Sequence, residues 1–135
     1  MKKPLRLRDF IEDPDGRLYA VAAYDNRERA GCILRYLPDP SGERVDQEGK
    51  RYHKLEFEEA FAYILREKPE YADSIQRIPV EDIRKVLKPE DEIGAIARRN
   101  NRVARLVSIF DLPERTYGCT GSLLVGLEND RSDID

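Results

Sequence analysis

The first half of the chain alternates apolar and polar residues with the period of two that is typical of β-strands. Residues 5–12 and 17–24 flank an Asp-Pro-Asp-Gly turn, in which Pro and Gly occupy favoured positions. Residues 29–37 predict a third strand, and residues 44–55 a fourth that is interrupted at positions 47–50. We therefore expect a small antiparallel sheet over residues 1–55. In the third strand, alternation assigns residues to opposite faces, with Cys32, Leu34 and Tyr36 on one and Ile33, Arg35 and Leu37 on the other.

The second half has the apolar spacing of amphipathic helices. Apolar residues recur at i, i+3, i+4, i+7 and i+8 over positions 57–65, and Pro69 ends that helix. A short helix is predicted over residues 80–87, and a longer one from Pro89 to about Phe110, with Asn100 weakening its apolar stripe. After these come two β-like stretches, residues 116–120 and 132–135, separated by a helical stretch at residues 123–127.

These elements predict an α+β fold in two parts. Residues 1–88 would form an antiparallel β-rich domain with helices. Residues 89–135 would form a linking helix and the start of a further α/β unit.

Composition and charge narrow the classes of protein. The 24 Lys and Arg residues nearly balance the 27 Asp and Glu residues, so the net charge of −3 does not demand a nucleic-acid partner. Dense charge with one Met and few amides is typical of thermophile proteins. Cys32 and Cys119 form no Cys-x-x-Cys pair and are expected to be buried, reduced thiols, and His53 an ordinary strand residue. Since no signal peptide or long apolar run is present, we expect a cytoplasmic protein without a membrane segment.

Candidate chemistry is concentrated in the last twenty residues. Gly121-Ser122 is followed, after ten residues, by Asp133-Ile134-Asp135. Glycine after a strand allows close approach to a ligand, and a serine at a helix start offers a hydroxyl beside N–H groups that favour phosphate. Carboxylates two apart on a strand point to one face and suit Mg²⁺. The segment therefore predicts a phosphate and magnesium site.

This spacing resembles the signature of the DNA polymerase β-like nucleotidyltransferase superfamily, and the β-rich beginning is similar to a group of archaeal predicted nucleotidyltransferases. The resemblance covers residues 116–135. It implies that Gly121 and Ser122 bind the phosphates of an NTP, and that Asp133 and Asp135 bind Mg²⁺ and catalyse nucleotidyl transfer to a hydroxyl. The acceptor stays open among RNA, a protein and a small molecule.

The superfamily also uses a third carboxylate on a later strand, and no residue follows Asp135 here. We therefore expect the chain to be the N-terminal fragment of a longer enzyme, and to be inactive alone. A sheet cut off at this point would expose an edge, which makes a homodimer an expectation as well.

A second hypothesis is a non-catalytic binding module for nucleic acid or a protein partner. Its basis is a set of basic residues in the second half of the chain: Arg84, Lys85, Lys88, Arg98, Arg99, Arg102 and Arg105. The same residues could instead be the solvated faces of amphipathic helices.

Overall fold

A computed structural model describes residues 4–110 and 118–129 of the chain. Within these ranges the chain forms one seven-stranded antiparallel sheet and three α-helices, which confirms the α+β class. The strands are β1 (Phe10–Glu12), β2 (Leu18–Val21), β3 (Arg29–Pro38), β4 (Arg44–Val45), β5 (Arg51–Lys54), β6 (Gln76–Pro79) and β7 (Lys85–Leu87). The helices are α1 (Phe57–Glu67), α2 (Pro89–Arg99) and α3 (Asn101–Phe110), with single 3₁₀ turns at Pro69–Tyr71 and Val80–Asp82.

The ten-residue strand β3 is the centre of the sheet. Strand β2 pairs with one edge of it, and β1 and β7 follow outward. Its other edge is shared by β6 and β5, which pair with its first and last residues respectively. Between them, the buried Gln76 side chain accepts a hydrogen bond from the Leu34 N–H at 2.7 Å, so a side chain completes the ladder.

The predicted hairpin and third strand are confirmed. Strands β1 and β2 pair across the Asp-Pro-Asp-Gly turn, where Gly16 has φ +83°. The interrupted fourth strand is a hairpin of β4 and β5, in which the Asp46 N–H donates to the Lys50 carbonyl at 2.9 Å. The helix over 57–65 is confirmed as α1, although Phe57 and Leu65 stay 52% and 63% exposed.

The helix predicted over residues 80–87 is wrong. These residues form a 3₁₀ turn and then β7, which pairs with β1. The Arg84 N–H donates to the Glu12 carbonyl at 2.8 Å, so the free edge of β1 recruits this segment. A short apolar run is compatible with the period of a helix and with that of a strand. Here the long-range pairing with β1 decides that the segment is a strand.

The prediction of a single long helix is also wrong, because the segment forms two helices, α2 and α3, that meet at Asn100. This residue has φ −131° and ψ 111°, outside the helical region. Its Oδ1 accepts hydrogen bonds from the Arg102 and Val103 N–H groups at 3.0 and 3.2 Å. The side chain thus caps α3, which explains why an amide interrupts the apolar stripe.

The sheet buries a core on each face. Cys32, Leu34 and Tyr19 pack with Ile64 of α1 in the first core. Tyr36 packs in the second core with Phe10 and Leu18, so its predicted place beside Cys32 and Leu34 is wrong. The reason is a β-bulge: Leu18 pairs with Tyr36 and Tyr19 with Leu34, which leaves Arg35 without a partner on β2.

Candidate functional site

The Gly121-Ser122 pair lies at the start of a series of turns over residues 121–126. Gly121 and Gly126 have φ values of +67° and +74°, which a right-handed helix does not accommodate. The Leu127 N–H donates to the Ser122 carbonyl at 2.8 Å. The helix predicted at 123–127 is therefore wrong and no helix N-terminus lies there, while phosphate binding by Gly121 and Ser122 stays a prediction. Residues 118–120, the described part of the predicted strand 116–120, form no strand.

Buried leucines attach this turn segment to the rest of the molecule. Leu124 and Leu127 pack against Phe10 and Tyr36 on the second face of the sheet. Leu123 packs with apolar residues of α2 and α3. These contacts join residues before position 88 to residues after it. The division into domains 1–88 and 89–135 stays a prediction.

Two arginines hold the backbone of the same segment. Arg44 donates to the Leu127 carbonyl at 2.8 Å, and Arg99 donates to the Leu123 carbonyl. Arg99 also pairs with Glu128 at 3.1 Å. One member of the predicted basic cluster thus stabilises the turns.

A cleft of about 350 Å³ lies beside Gly121. Its floor is apolar and comes from β1 and β2, and its remaining residues come from the segment before β1, from β3 and from the turns. The lining residues are Leu7, Arg8, Phe10, Ala20, Val21, Arg35, Thr120 and Gly121. The cleft therefore places Gly121 beside two arginines.

Arg8 is fixed at this cleft by its backbone. It has φ +79°, an unusual value for a residue with a side chain. The Thr120 hydroxyl donates to the Arg8 carbonyl at 2.6 Å, and Thr120 directly precedes Gly121. In the turn that contains Arg8, the buried Asp9 carboxylate accepts the Arg6 N–H at 3.0 Å and pairs with Lys88. Sequence reasoning did not assign Arg8, Arg35 or Thr120 to the site, because positive φ, the bulge and the Thr120 contact leave no local signal.

Asp133 and Asp135, the predicted metal ligands, lie outside the described residues. In the part that is described, no group of three or more His, Cys, Asp or Glu side chains could hold a metal ion. Glu128 Oε2 is buried without a hydrogen-bond partner among the described residues. Carboxylate oxygens are the ligands that Mg²⁺ prefers, so the residue types at positions 133 and 135 suit that ion, and a Mg²⁺ site there stays a prediction.

The predicted basic cluster is dispersed in the fold. Lys88 is buried and pairs with Asp9, and Arg99 is bound to Glu128. Arg98 and Arg105 are exposed, as are Arg84, Lys85 and Arg102. Lys88 and Arg99 therefore serve the fold, and a cationic surface is restricted to the exposed members.

His53 and the cysteines have ordinary environments. His53 lies on β5, where its Nδ1 is 3.1 Å from a Glu43 carboxylate oxygen, and this hydrogen bond raises the pKa of His53. Cys32 and Cys119 are buried and unbridged, as expected. Burial raises the pKa of Cys32 far above its ordinary value, so its thiol is unreactive at neutral pH. No helix in residues 4–110 and 118–129 is long and apolar enough to cross a bilayer.

Comparison with known proteins gives one distant relative. The chain is 27% identical over 159 aligned positions to the uncharacterized protein MJ1086 of the archaeon Methanocaldococcus jannaschii. The alignment covers 97% of this chain and 46% of that protein, so the chain spans about half the length of its relative. No family model matches the chain. No solved structure matches it significantly.

Proposed function

We propose that the protein of full natural length is a Mg²⁺-dependent nucleotidyltransferase that transfers a nucleoside monophosphate from an NTP to a hydroxyl. The observation that carries the proposal is the spacing of Gly121-Ser122 and Asp133-Ile134-Asp135. It is supported by the position of Gly121 in a tight turn on the rim of a cleft that contains two arginines.

Each residue has a role that follows from its chemistry. The turn at Gly121 allows phosphate oxygens to approach the backbone, and the Ser122 hydroxyl donates to them. Asp133 and Asp135 would hold Mg²⁺, which supplies charge neutralisation at the phosphates when bound. The acceptor oxygen forms a bond to the α-phosphorus, the bond to the bridging oxygen breaks, and pyrophosphate leaves. The hydroxyl proton passes to a carboxylate or to water.

The test uses the full-length protein with each of the four α-³²P-labelled NTPs and Mg²⁺. Label transfer to RNA, to protein and to small hydroxyl acceptors is measured together with pyrophosphate release. Asp133→Asn and Asp135→Asn are expected to lower the rate at least about 100-fold, because loss of second-shell partners alone costs about 10–100-fold. Asp130→Asn is the matched control, with an expected change below about twofold. Absence of transfer with every NTP and acceptor, or wild-type rates in both variants, would overturn the proposal.

The second candidate function is a binding module for nucleic acid. The exposed arginines Arg98, Arg102 and Arg105 on α2 and α3 favour it. Such binding should weaken with rising salt, because basic residues displace counterions from phosphates. Fluorescence anisotropy with labelled single-stranded RNA tests it: Arg98→Ala/Arg105→Ala should weaken binding and Arg51→Ala should not.

We further propose that the protein works in the cytoplasm, a proposal that the buried, unbridged thiols support. A protein partner or a homodimer also remains a proposal, and sedimentation of the purified protein tests the dimer. Among the described strands β7 lies at the end of the sheet, and its outer edge offers a place for pairing.

A further inference from the structure

We propose that Arg8 and Arg35 bind the phosphate groups of a nucleoside triphosphate in the cleft beside Gly121. The choice of ligand rests on the proposed function, and the arginine assignment adds residues from the β-rich half of the chain to that site. The turn segment has no helix N-terminus to favour phosphate. The cleft instead supplies positive charge from Arg35 on β3 and from Arg8 in the segment before β1.

Arg35 reaches this cleft because of the bulge in β3. Strict alternation from Leu34, which packs in the first core, would direct Arg35 to the second face and Tyr36 back to the first. The bulge leaves both Arg35 and Tyr36 on the second face, where Tyr36 packs with Phe10 and Arg35 lines the cleft. Bulges commonly re-aim a side chain next to a functional site.

Arg8 lines the same cleft from the segment before β1. Its left-handed backbone conformation is unfavourable for a residue with a side chain, and it persists because its surroundings impose it. The Thr120 hydroxyl holds the Arg8 carbonyl, and the neighbouring Asp9 is held by buried Lys88. Arg8 and the Gly-Ser turn are therefore positioned by the same hydrogen bond.

The charges of the cleft call for an anion. Its lining includes two arginines and no acidic residue. Neither guanidinium has a hydrogen bond or ion pair with another residue of the described ranges, whereas Arg17, Arg27 and Arg99 each pair with an acid. A multivalent phosphate carries enough negative charge to pair with both side chains. Guanidinium groups bind phosphate oxygens through paired N–H donors.

The size of the cleft favours a small polyphosphate over a nucleic-acid strand. A volume of about 350 Å³ is at the lower end of ligand pockets, which run from about 300 to 1,000 Å³. A strand would need an extended cationic track, and the lining arginines are confined to one cleft. We therefore assign the cleft to the phosphates of a free nucleotide.

The test measures binding by calorimetry, with inorganic tripolyphosphate and ATP as probes in EDTA, so that no metal contributes. Arg8→Ala and Arg35→Ala are each expected to raise the dissociation constant about 10-fold to 100-fold, as for hydrogen bonds to charged groups. Arg35→Lys keeps the positive charge but loses the paired N–H donors of the guanidinium. Its dissociation constant should lie between those of the wild type and Arg35→Ala. Arg51→Ala is the matched control, because Arg51 is exposed on β5 outside the cleft, and should leave binding unchanged.

Thr120 provides a second, conservative pair of variants. Thr120→Val removes the hydroxyl that holds the Arg8 carbonyl and should weaken tripolyphosphate binding severalfold, while Thr120→Ser should retain it. Circular dichroism and the unfolding midpoint confirm that each variant is folded. Equal binding by wild type, Arg8→Ala and Arg35→Ala would overturn the assignment, as would binding of RNA without binding of tripolyphosphate.

The outcomes separate this inference from the proposed function. If the wild-type protein shows arginine-dependent binding of tripolyphosphate but no transfer activity with any NTP and acceptor, the cleft is supported and the enzyme is contradicted. Transfer activity that is unaffected by Arg8→Ala/Arg35→Ala supports the enzyme and contradicts the cleft.

Discussion

The buried ion pair of Lys88 and Asp9 allows a sharp test of how the segment before β1 is held. The two side chains are 6% and 2% exposed. Lys88 also donates to the Pro4 carbonyl at 2.8 Å, and Asp9 accepts the Arg6 N–H at 3.0 Å. Lys88→Met keeps the length of the side chain but removes its charge, and leaves the Asp9 carboxylate buried with a single neutral donor.

The expected loss in the free energy of unfolding is about 3–5 kcal/mol, the usual cost of breaking a buried pair by removing one partner. For a chain of this size the unfolding temperature should fall by roughly 10–20 °C. Asp9→Asn/Lys88→Met removes the uncompensated charge and should recover part of the loss, since Asn still accepts the Arg6 N–H. The double variant should thus be more stable than Lys88→Met alone.

Urea denaturation followed by circular dichroism measures these free energies. Arg6→Met is the matched control, because Arg6 forms an exposed pair with Glu90 and should cost below about 1 kcal/mol. A loss below about 1 kcal/mol for Lys88→Met, or a double variant that is no more stable than the single one, would refute the reasoning.

Two further predictions concern the turn segment and His53. Leu127→Ala should lower the free energy of unfolding by about 2–5 kcal/mol, because Leu127 is fully buried against the sheet, while Leu65→Ala should change it by at most about 0.5 kcal/mol, because Leu65 is 63% exposed. Equal effects in urea denaturation would contradict the packing of the turns on the sheet. The hydrogen bond that His53 donates to Glu43 raises the folded pKa of His53, so its stabilisation is complete below the unfolded pKa of about 6.5 and is lost as pH rises through the folded pKa. His53→Asn should therefore cost more at about pH 5.5 than at about pH 8.5, by less than about 1 kcal/mol for this partly exposed pair. The pair would be contradicted if His53→Asn cost the same at both pH values. It would also be contradicted if the cost kept its pH dependence in a Glu43→Gln background.

Elements that depend on neighbouring residues could be predicted from the sequence. The first hairpin follows from its turn, where the Gly16 N–H donates to the Asp13 carbonyl at 3.0 Å. The helix α1 follows from its apolar spacing, and it begins with a capping box between Glu56 and Glu59. In each case the signal lies within a few residues, so local preference and the final fold agree.

Elements that depend on distant partners could not be predicted from the sequence. The segment at β7 became a strand because the edge of β1 was free to pair. The break at Asn100 was visible as a polar residue, but its capping role requires the backbone of α3. The Gly-Ser turn was identified from its residues, while the helix expected after it was replaced by turns that pack Leu124 and Leu127 on the sheet.

By itself, the sequence determined the α+β class, the central strand, the first hairpin and the motif that suggests phosphate chemistry. The tertiary structure alone decided that Arg8 and Arg35 line one cleft with Gly121. The reason is physical: Arg35 lies at a register irregularity in β3, and Arg8 is held by a hydrogen bond from a residue 112 positions away. Neither leaves a local pattern, because both exist only once the distant segments have packed together.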